Sequence, residues 1–316
     1  MAHLSQHDLS AFAANRPPKA SHASLPAHPK ALFIVNPTAG AGARAFEGQL
    51  KRHLSPAALQ YEVAFTATSG DGERIAAQAR DGGYDIVVAV GGDGTVNEVA
   101  RSLLHDERTA LAIVPTGSGN GVARHLGIPL GLSAALKMLN RPSVTRMDVG
   151  RINGHPFFCT AGLGFDAHVS KRFAGSKWRG LLTYARIALQ EYKGFKSKPI
   201  RLHLGDRSID HNCYVLAFAN AAQYGNNAFI APLADVADGL LDLCLIDEMP
   251  IRRALRVAYG LTVGDLPQSR AATYYKASQI RVRAEEPIGF HVDGDYMGEA
   301  NTFDVSISPL ALRVCV

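Results

Sequence analysis

The fold is decided by a strand that ends in glycines, Ile86-Val87-Val88-Ala89-Val90-Gly91-Gly92-Asp93-Gly94-Thr95. A second stretch of the same kind reads Leu111-Ala112-Ile113-Val114-Pro115-Thr116-Gly117-Ser118-Gly119-Asn120-Gly121. Each apolar strand leads through glycines into a helix, so bare backbone N–H groups and the positive end of a helix dipole can face an anion. Two such loops in one sheet predict a site for a polyphosphate.

Asp93 makes the first loop more specific than an ordinary turn. A lone glycine turn is usually a tight connection between a strand and a helix. A carboxylate inside an anion-binding loop is costly unless a cation such as Mg²⁺ lies between it and the phosphate. The sequence therefore predicts that nucleotide and metal bind together near Asp93.

Other nucleotide motifs fit less well. A Walker A loop is absent. The segment from Gly40 to Ala45 matches the dinucleotide fingerprint, but Thr66-Ala67-Thr68 stands where that fingerprint requires an acid for the ribose. An oxidoreductase is therefore disfavoured.

From Ala31 to about Leu139 the sequence alternates apolar strands with amphipathic helices, which predicts a parallel sheet covered on both faces. After Asp148 strands dominate and predict a mostly antiparallel sandwich, interrupted by helices near 178–192 and 251–263. We expect a disordered tail over 1–30, a nucleotide-binding domain over 31–147 and a lipid-substrate sandwich over 148–307. The last strand, about 308–316, is expected to return to the first domain.

Composition indicates a soluble, cytoplasmic protein. The 316 residues are 47% hydrophobic, yet no run of eighteen uncharged apolar residues occurs. The cysteines show no C-x-x-C spacing, which fits a reducing compartment. The net charge of +5 is concentrated between Lys171 and Arg201, where nine basic residues and one acid, Glu191, give +8. Such a segment favours contact with a polyanionic surface.

An ordered set of motifs resembles the diacylglycerol kinase catalytic-domain superfamily, in particular its soluble bacterial lipid kinases. The set consists of Ile34-Val35-Asn36-Pro37 with Gly40, Gly91 to Val99, and Pro115 to Asn120 followed by Ala123-Arg124. The resemblance implies a flavodoxin-like, NAD kinase-like α/β domain followed by a β-sandwich domain, with the active site in the cleft between them. Sphingosine and ceramide kinases are more distant relatives of this group.

The resemblance also implies roles for individual residues. The ATP site would be lined by Asn36, Thr66, Gly91, Gly92, Asp93, Gly94, Thr95, Glu98, Gly117, Ser118 and Asn120. Thr66 rests on a T-x-x-x-G-D pattern that Gly70 and Asp71 complete. Two aspartates three apart before a glycine are often only a capped turn, but by resemblance Asp235, Asp238 and the Leu240 carbonyl hold a structural Mg²⁺.

Asp293 is the candidate catalytic base. It lies in Val292-Asp293-Gly294-Asp295, where the family usually reads D-G-E, and phosphoryl transfer to an alcohol needs a carboxylate to accept the hydroxyl proton. One departure is Gly121, where many bacterial members carry an aspartate of the metal network. A turn with two solvated acids is the alternative interpretation, more plausible for Asp295.

The sequence thus favours an ATP- and Mg²⁺-dependent kinase for diacylglycerol or a related lipid alcohol. Alternatives are a sphingoid-base or ceramide kinase, an NAD-kinase-like enzyme, and a catalytically weak lipid-binding regulatory protein. Residues 171–201 would contact an anionic membrane, with apolar side chains at helical spacing: Trp178, Leu181, Leu182, Ala185, Ala188, Leu189 and Tyr192. Ordinary core packing with a basic rim explains that spacing equally well. No nucleic-acid-binding pattern is present, and a homodimer is left open.

Overall fold

Four apolar strands, each followed by a helix, build the first half of the protein. In the computed structural model the residues described are 25–37, 43–176, 181–264, 266 and 271–316. The strands are β1 (Lys30–Val35), β2 (Gln60–Phe65), β3 (Ile86–Gly91) and β4 (Ala110–Pro115). The helices are α1 (Ala43–His53), α2 (Asp71–Asp81), α3 (Asp93–Ser102), α4 (Gly121–His125) and α5 (Leu132–Met138).

These strands lie parallel in the order β2-β1-β3-β4. Every residue of β3 and β4 is buried, as their continuous apolar sequences require when helices cover both faces of a parallel sheet. Parallel strands end at one edge, so Val35, Phe65, Gly91 and Pro115 mark a common rim. Ligands of such sheets bind at this rim.

The second half is built mainly from antiparallel strands. They are β5 (Val144–Ile152), β6 (His155–Phe157), β7 (Thr160–Gly164), β8 (Lys198–Leu204), β9 (Arg207–Cys213), β10 (Val215–Ala219), β11 (Leu241–Ile246), β12 (Ala272–Ala277), β13 (Gln279–Val292) and β14 (Asp295–Cys315). Three helices accompany them: α6 (Phe165–Ala174), α7 (Leu181–Glu191) and α8 (Ile251–Val263). A core cluster between β7, β8, β10, β11, β13 and β14 includes Leu163, Phe218 and Phe303.

Strand β14 connects the strands of the second half with the parallel sheet of the first half. β14 pairs with β13 and β5 in antiparallel fashion, and near its end Val314 pairs in parallel with Leu111 of β4. The register of β14 shifts between Ser308 and Leu312. There the buried Asp148 accepts hydrogen bonds from the Leu310 N–H and the Gly239 N–H, both at 2.7 Å.

The structure contains elements that the sequence pattern did not predict. Helix α6 mixes basic residues and a histidine into its sequence, which weakens its amphipathic signal. Strand β9 pairs only with β8 and shows few apolar residues, as suits an edge strand. Strands β6 and β7 are separated at Phe158 and Cys159, because the N–H groups of these two residues bond a side chain.

Candidate active site

The two glycine loops touch each other through their backbones. A Cβ atom placed on Gly117 would lie 2.5 Å from the Gly92 Cα, and one on Gly92 would lie 3.2 Å from the Gly117 Cα. A Cβ on Gly91 would overlap the Thr95 side chain. These glycines therefore allow a close approach that no other residue type permits, and they leave backbone N–H groups at the strand rim.

Asp93 ties the two loops together. Its Oδ2 accepts a hydrogen bond from the Asn120 N–H at 2.8 Å, and its Oδ1 accepts one from the Gly121 N–H at 2.7 Å. Burial raises the pKa of this carboxyl, although both hydrogen bonds oppose the shift. Each oxygen keeps further acceptor capacity, so this carboxylate retains the chemistry to ligate a cation. Its bridging of the two loops is a structural role that sequence reasoning missed.

The remaining predicted nucleotide residues of the first half gather at the same rim. Asn36 donates from Nδ2 to the Thr95 Oγ1 at 3.3 Å. The Glu98 carboxylate accepts from the N–H groups of Gly70 and Gly72, each at 3.0 Å, and so holds the turn that follows Thr66. Glu98 thus supports the rim, while its direct contact with a nucleotide and that of Thr66 stay predictions.

Asn120 shapes the second loop from within. Its backbone is left-handed, with φ 52°. Its side chain accepts from the Gly117 N–H at 3.1 Å and donates to the Gly117 carbonyl at 2.8 Å. Ser118 lies on the exposed side of the loop, as does Gly94 of the first loop. The loop is therefore fixed by its own side chain, with its outer edge open to a ligand.

Asp293 lies in a two-residue hairpin turn between β13 and β14. Val292 pairs with Asp295, and φ is 48° at Asp293 and 91° at Gly294. An Asp-Gly pair is favoured where both central residues need positive φ. The alternative interpretation was a turn with two solvated acids: the turn is present, but of the two acids only Asp295 is exposed, and the Asp293 side chain is directed at the first half of the protein.

Four donors surround the Asp293 carboxylate. Oδ1 accepts from the N–H groups of Cys159 (2.8 Å) and Thr160 (2.9 Å). Oδ2 accepts from the Phe158 N–H (2.9 Å) and from the Asn97 Nδ2 of α3 (3.1 Å). Burial raises the pKa of Asp293 to about 6 against the three backbone hydrogen bonds, and the nearby Asp93 adds to the increase. A carboxyl with this pKa is suited to accept a proton near neutral pH.

A buried network supports the Asp293 turn from behind. The His291 side chain is 2% exposed, its Nδ1 accepts from the Gly294 N–H at 3.3 Å, and its Nε2 lies 3.1 Å from the Asp166 Oδ2. The Tyr224 hydroxyl donates to the same carboxylate oxygen at 3.2 Å. Sequence reasoning missed His291, Asp166 and Asn97. The sequence offered only their positions as a signal: His291 lies beside D-G-D, Asp166 follows G-L-G-F, and Asn97 lies inside the first glycine motif.

Comparison with known proteins identifies the family of both halves of the chain. Residues 30–152 match the diacylglycerol kinase catalytic domain, and residues 159–316 match the YegS C-terminal NAD kinase beta sandwich-like domain. A Pseudomonas aeruginosa protein named "Probable lipid kinase YegS-like" is 31% identical over 263 residues, which cover 82% of this chain and 85% of the relative.

The chain belongs to the YegS-like lipid kinase family. The diacylglycerol kinase of Bacillus subtilis is 28% identical over 283 residues, 85% of this chain and 90% of that protein. The crystal structure of a candidate diacylglycerol kinase from Bacillus anthracis has the same fold, with a TM-score of 0.75 at 22% identity over 92% of this chain and 96% of that one. The family assignment confirms the fold class and the kinase activity inferred from the motifs.

In this lipid kinase, Gly121 leaves room for the side chain of Cys159. A Cβ on Gly121 would lie 2.8 Å from the Cys159 Sγ, closer than real Cβ contacts. Cys159 is buried, and burial raises the pKa of its thiol. The thiol thus occupies the space into which a side chain at position 121 would point.

We expect Gly121→Ala to lower the free energy of unfolding by about 1–3 kcal/mol, because the added methyl overpacks against Cys159. Replacing Cys159 by glycine should remove most of that extra cost. A double-mutant cycle in urea measures the coupling between the two positions. Strictly additive effects would contradict the steric explanation.

The predicted metal turn lies apart from the Asp293 site, beside Asp148. The Lys276 Nζ lies 2.8 Å from the Asp238 Oδ2 and 3.1 Å from the Asp242 Oδ2, so Asp238 already has a cation. Asp235 and Asp238 each accept one backbone N–H within the turn. Over the described part of the chain, no group of three or more His, Cys, Asp or Glu side chains could hold a metal.

Acids pair with five of the seven described cations of the basic segment. The five ion pairs are Lys171 with Glu299, Arg172 with Glu191, Lys196 with Glu248, Lys198 with Glu286 and Arg201 with Asp210. Lys177, Trp178 and Arg179 lie outside the described residues, as do Gly40 and the side chains of Leu181 and Leu182. None of the helices described is long and apolar enough to cross a bilayer.

Proposed function

We propose that the protein transfers the γ-phosphoryl group of ATP to a hydroxyl group of diacylglycerol or a related lipid alcohol. One observation carries the proposal: Asn97 of α3 donates to Asp293, and Asp93 begins the same helix at the glycine loops. Asn97 and Asp93 are four residues apart, about one helical turn. The candidate base and the candidate phosphate loops are therefore neighbours across the two halves.

Each group has a defined task in this proposal. Free N–H groups of the two glycine loops would bind phosphate oxygens, and Asp93 would hold a Mg²⁺ ion that neutralises the charge of those oxygens. Asp293 accepts the proton of the lipid hydroxyl. The Asp293 oxygens already accept four hydrogen bonds, so one donor must move away before the lipid hydroxyl can bind there. Three of the donors are backbone N–H groups, and the fourth is the side chain of Asn97. The Asn97 Oδ1 is buried with no hydrogen-bond partner in the described structure, so this amide is held on one side only, by its bond to Asp293.

The test is incubation of purified protein with labelled ATP, Mg²⁺ and a total lipid extract. We expect a labelled phospholipid whose formation requires both lipid and Mg²⁺. A labelled sphingoid base or ceramide would instead support the related lipid alternatives, and labelling of added NAD would support an NAD-kinase-like enzyme. Lipid binding without any ATP consumption would support a regulatory protein, which Gly121 motivates.

The pH profile tests the role of Asp293. A protonated Asp293 cannot accept the hydroxyl proton, so kcat/KM should fall as the pH drops below about 6. The folded state holds this proton more tightly than the unfolded state, so the same group lowers stability as pH rises from 3.8 to about 6. Asp295→Asn should leave the inflection in place. A profile that is flat through pH 6 would contradict the assignment.

We also propose a structural Mg²⁺ held by Asp235, Asp238 and the Leu240 carbonyl, in competition with Lys276 for Asp238. Mg²⁺ should raise the melting temperature modestly, and more strongly in Lys276→Met, where Asp238 and Asp242 lose their cation. Asp235→Asn should abolish both shifts in differential scanning fluorimetry. Equal melting temperatures in Mg²⁺ and EDTA for Lys276→Met would rule out this site.

The place of action proposed for the enzyme is the cytoplasmic surface of a membrane, where it associates peripherally. All four cysteines are free and buried, which suits a reducing compartment. A lipid with two acyl chains stays in the bilayer, so the enzyme must reach it there.

A further inference from the structure

Helix α8 exposes an apolar stripe. Leu255, Tyr259 and Val263 are 56%, 69% and 54% exposed, and they account for three of the six large exposed hydrophobic residues in the described structure. They follow one another every four residues and so share one face of the helix. The opposite face is packed, with Val257 and Gly260 buried. Such a concentration on a single face marks an interaction site rather than scattered surface residues.

Two arginines lie on the same face of α8. At about 3.6 residues per turn, Arg252 lies about 20° and Arg256 about 60° around the helix axis from Tyr259, the middle residue of the stripe. Both are exposed, and neither has an ion pair within the part of the chain that the structure describes. In the segment 171–201, by comparison, acids match five of the seven described cations. Positive charge without an acidic partner is therefore combined with apolar surface on α8.

A short chain of backbone contacts connects α8 to the candidate active site. The Leu261 carbonyl near the end of α8 accepts from the Phe229 N–H at 2.7 Å. Two residues earlier, Asn227 accepts from the Arg124 guanidinium at 3.0 Å, and the Asn226 N–H donates to the Gly119 carbonyl at 3.3 Å. One loop thus touches both the end of α8 and the second glycine loop, which places α8 close to the candidate active site.

We propose that the face of α8 formed by Leu255, Tyr259, Val263, Arg252 and Arg256 docks on the surface of an anionic phospholipid bilayer. The inference deepens the proposed lipid kinase function and rests on it for the substrate. The apolar side chains enter the acyl boundary, tyrosine suits the interface, and the arginines face lipid phosphates. A twofold dimer through this face would bring the arginines of two copies together, which disfavours a second copy as the occupant.

Co-sedimentation with vesicles tests the docking surface in the full chain. Wild type should bind vesicles of phosphatidylcholine mixed with phosphatidylglycerol and bind pure phosphatidylcholine weakly. Arg252→Gln/Arg256→Gln should weaken binding about twenty-five-fold, at roughly fivefold per arginine. The triple change Leu255→Ser/Tyr259→Ser/Val263→Ser should weaken it at least about tenfold. Leu130→Ser, which removes another exposed apolar side chain, is the matched control and should bind like wild type.

Two further measurements separate the possible failures. Every α8 variant should phosphorylate a short-chain, detergent-dispersed diacylglycerol at the wild-type rate and lose activity only on vesicles. Full vesicle binding by the triple variant would overturn the docking proposal, while kinase activity on dispersed lipid would leave the function intact. A wild-type dimer that the triple change converts to a monomer in sedimentation velocity would assign the face to a second copy and also overturn the proposal.

Discussion

Asp293→Asn should lower kcat by about a thousandfold while changing the affinity for ATP only slightly. Removal of a general base costs roughly 10²–10⁴-fold in rate. The substitution is mild for the hairpin, because Asn-Gly is as well suited as Asp-Gly to a turn with two positive φ angles. The carboxamide nitrogen, however, must face two of the four donors around the carboxylate, so stability should also fall by about 1–3 kcal/mol.

A loss of activity in that variant could come from the base or from the lost anchor, and Asn97→Ala distinguishes the two. It removes the hydrogen bond between the halves and keeps the carboxylate. We expect a comparable loss of stability with a rate decrease of less than about tenfold. Steady-state kinetics and urea unfolding on both variants measure this. If Asn97→Ala is as inactive as Asp293→Asn, Asp293 acts mainly as an anchor.

Asp93→Asn should weaken the binding of MgATP by at least about a hundredfold. In the wild type, Asp93 accepts hydrogen bonds from the N–H groups of Asn120 and Gly121. The carboxamide NH₂ group of the variant is itself a donor and cannot accept one of these bonds, so the second glycine loop loses a charge-assisted hydrogen bond. Such bonds contribute about 1.5–3 kcal/mol, and the cation also loses a ligand. Isothermal titration calorimetry with and without Mg²⁺ measures both effects.

Asp71 provides the matched control. It also accepts two backbone N–H groups, those of Ala67 and Thr68, each at 2.9 Å, but it lies outside the glycine loops. Asp71→Asn should therefore weaken nucleotide binding far less than Asp93→Asn does. Equal losses in the two variants would mean that any disturbance of the rim suffices and that Asp93 has no specific task.

The sequence identified the parts of the site that depend on local pattern. The glycine loops and the Asp-Gly turn were readable because positive φ angles and close backbone approach require particular residue types. The partners of those residues were not readable. Asp93 bonds N–H groups 27 and 28 residues away, and Asp293 bonds N–H groups more than 130 residues away.

The membrane hypothesis shows the same limit. The charge of residues 171–201 is evident in the sequence, but its neutralisation by Glu299, Glu286 and Asp210 depends on how strands pack. The exposed stripe of α8 was equally hidden, because periodicity indicates one apolar face and cannot say which residues the fold leaves uncovered. For α8 the sequence predicted where the helix begins and ends, but not which of its residues are exposed.

The return of β14 to β4 has a consequence for biosynthesis. Strand β4 pairs with β3 on one side and with Val314 of β14 on the other. During synthesis on the ribosome the first half therefore keeps an open backbone edge until β14 has been made. A nascent chain that stalls before β14 exposes that edge to aggregation, because β14 is the strand that covers it.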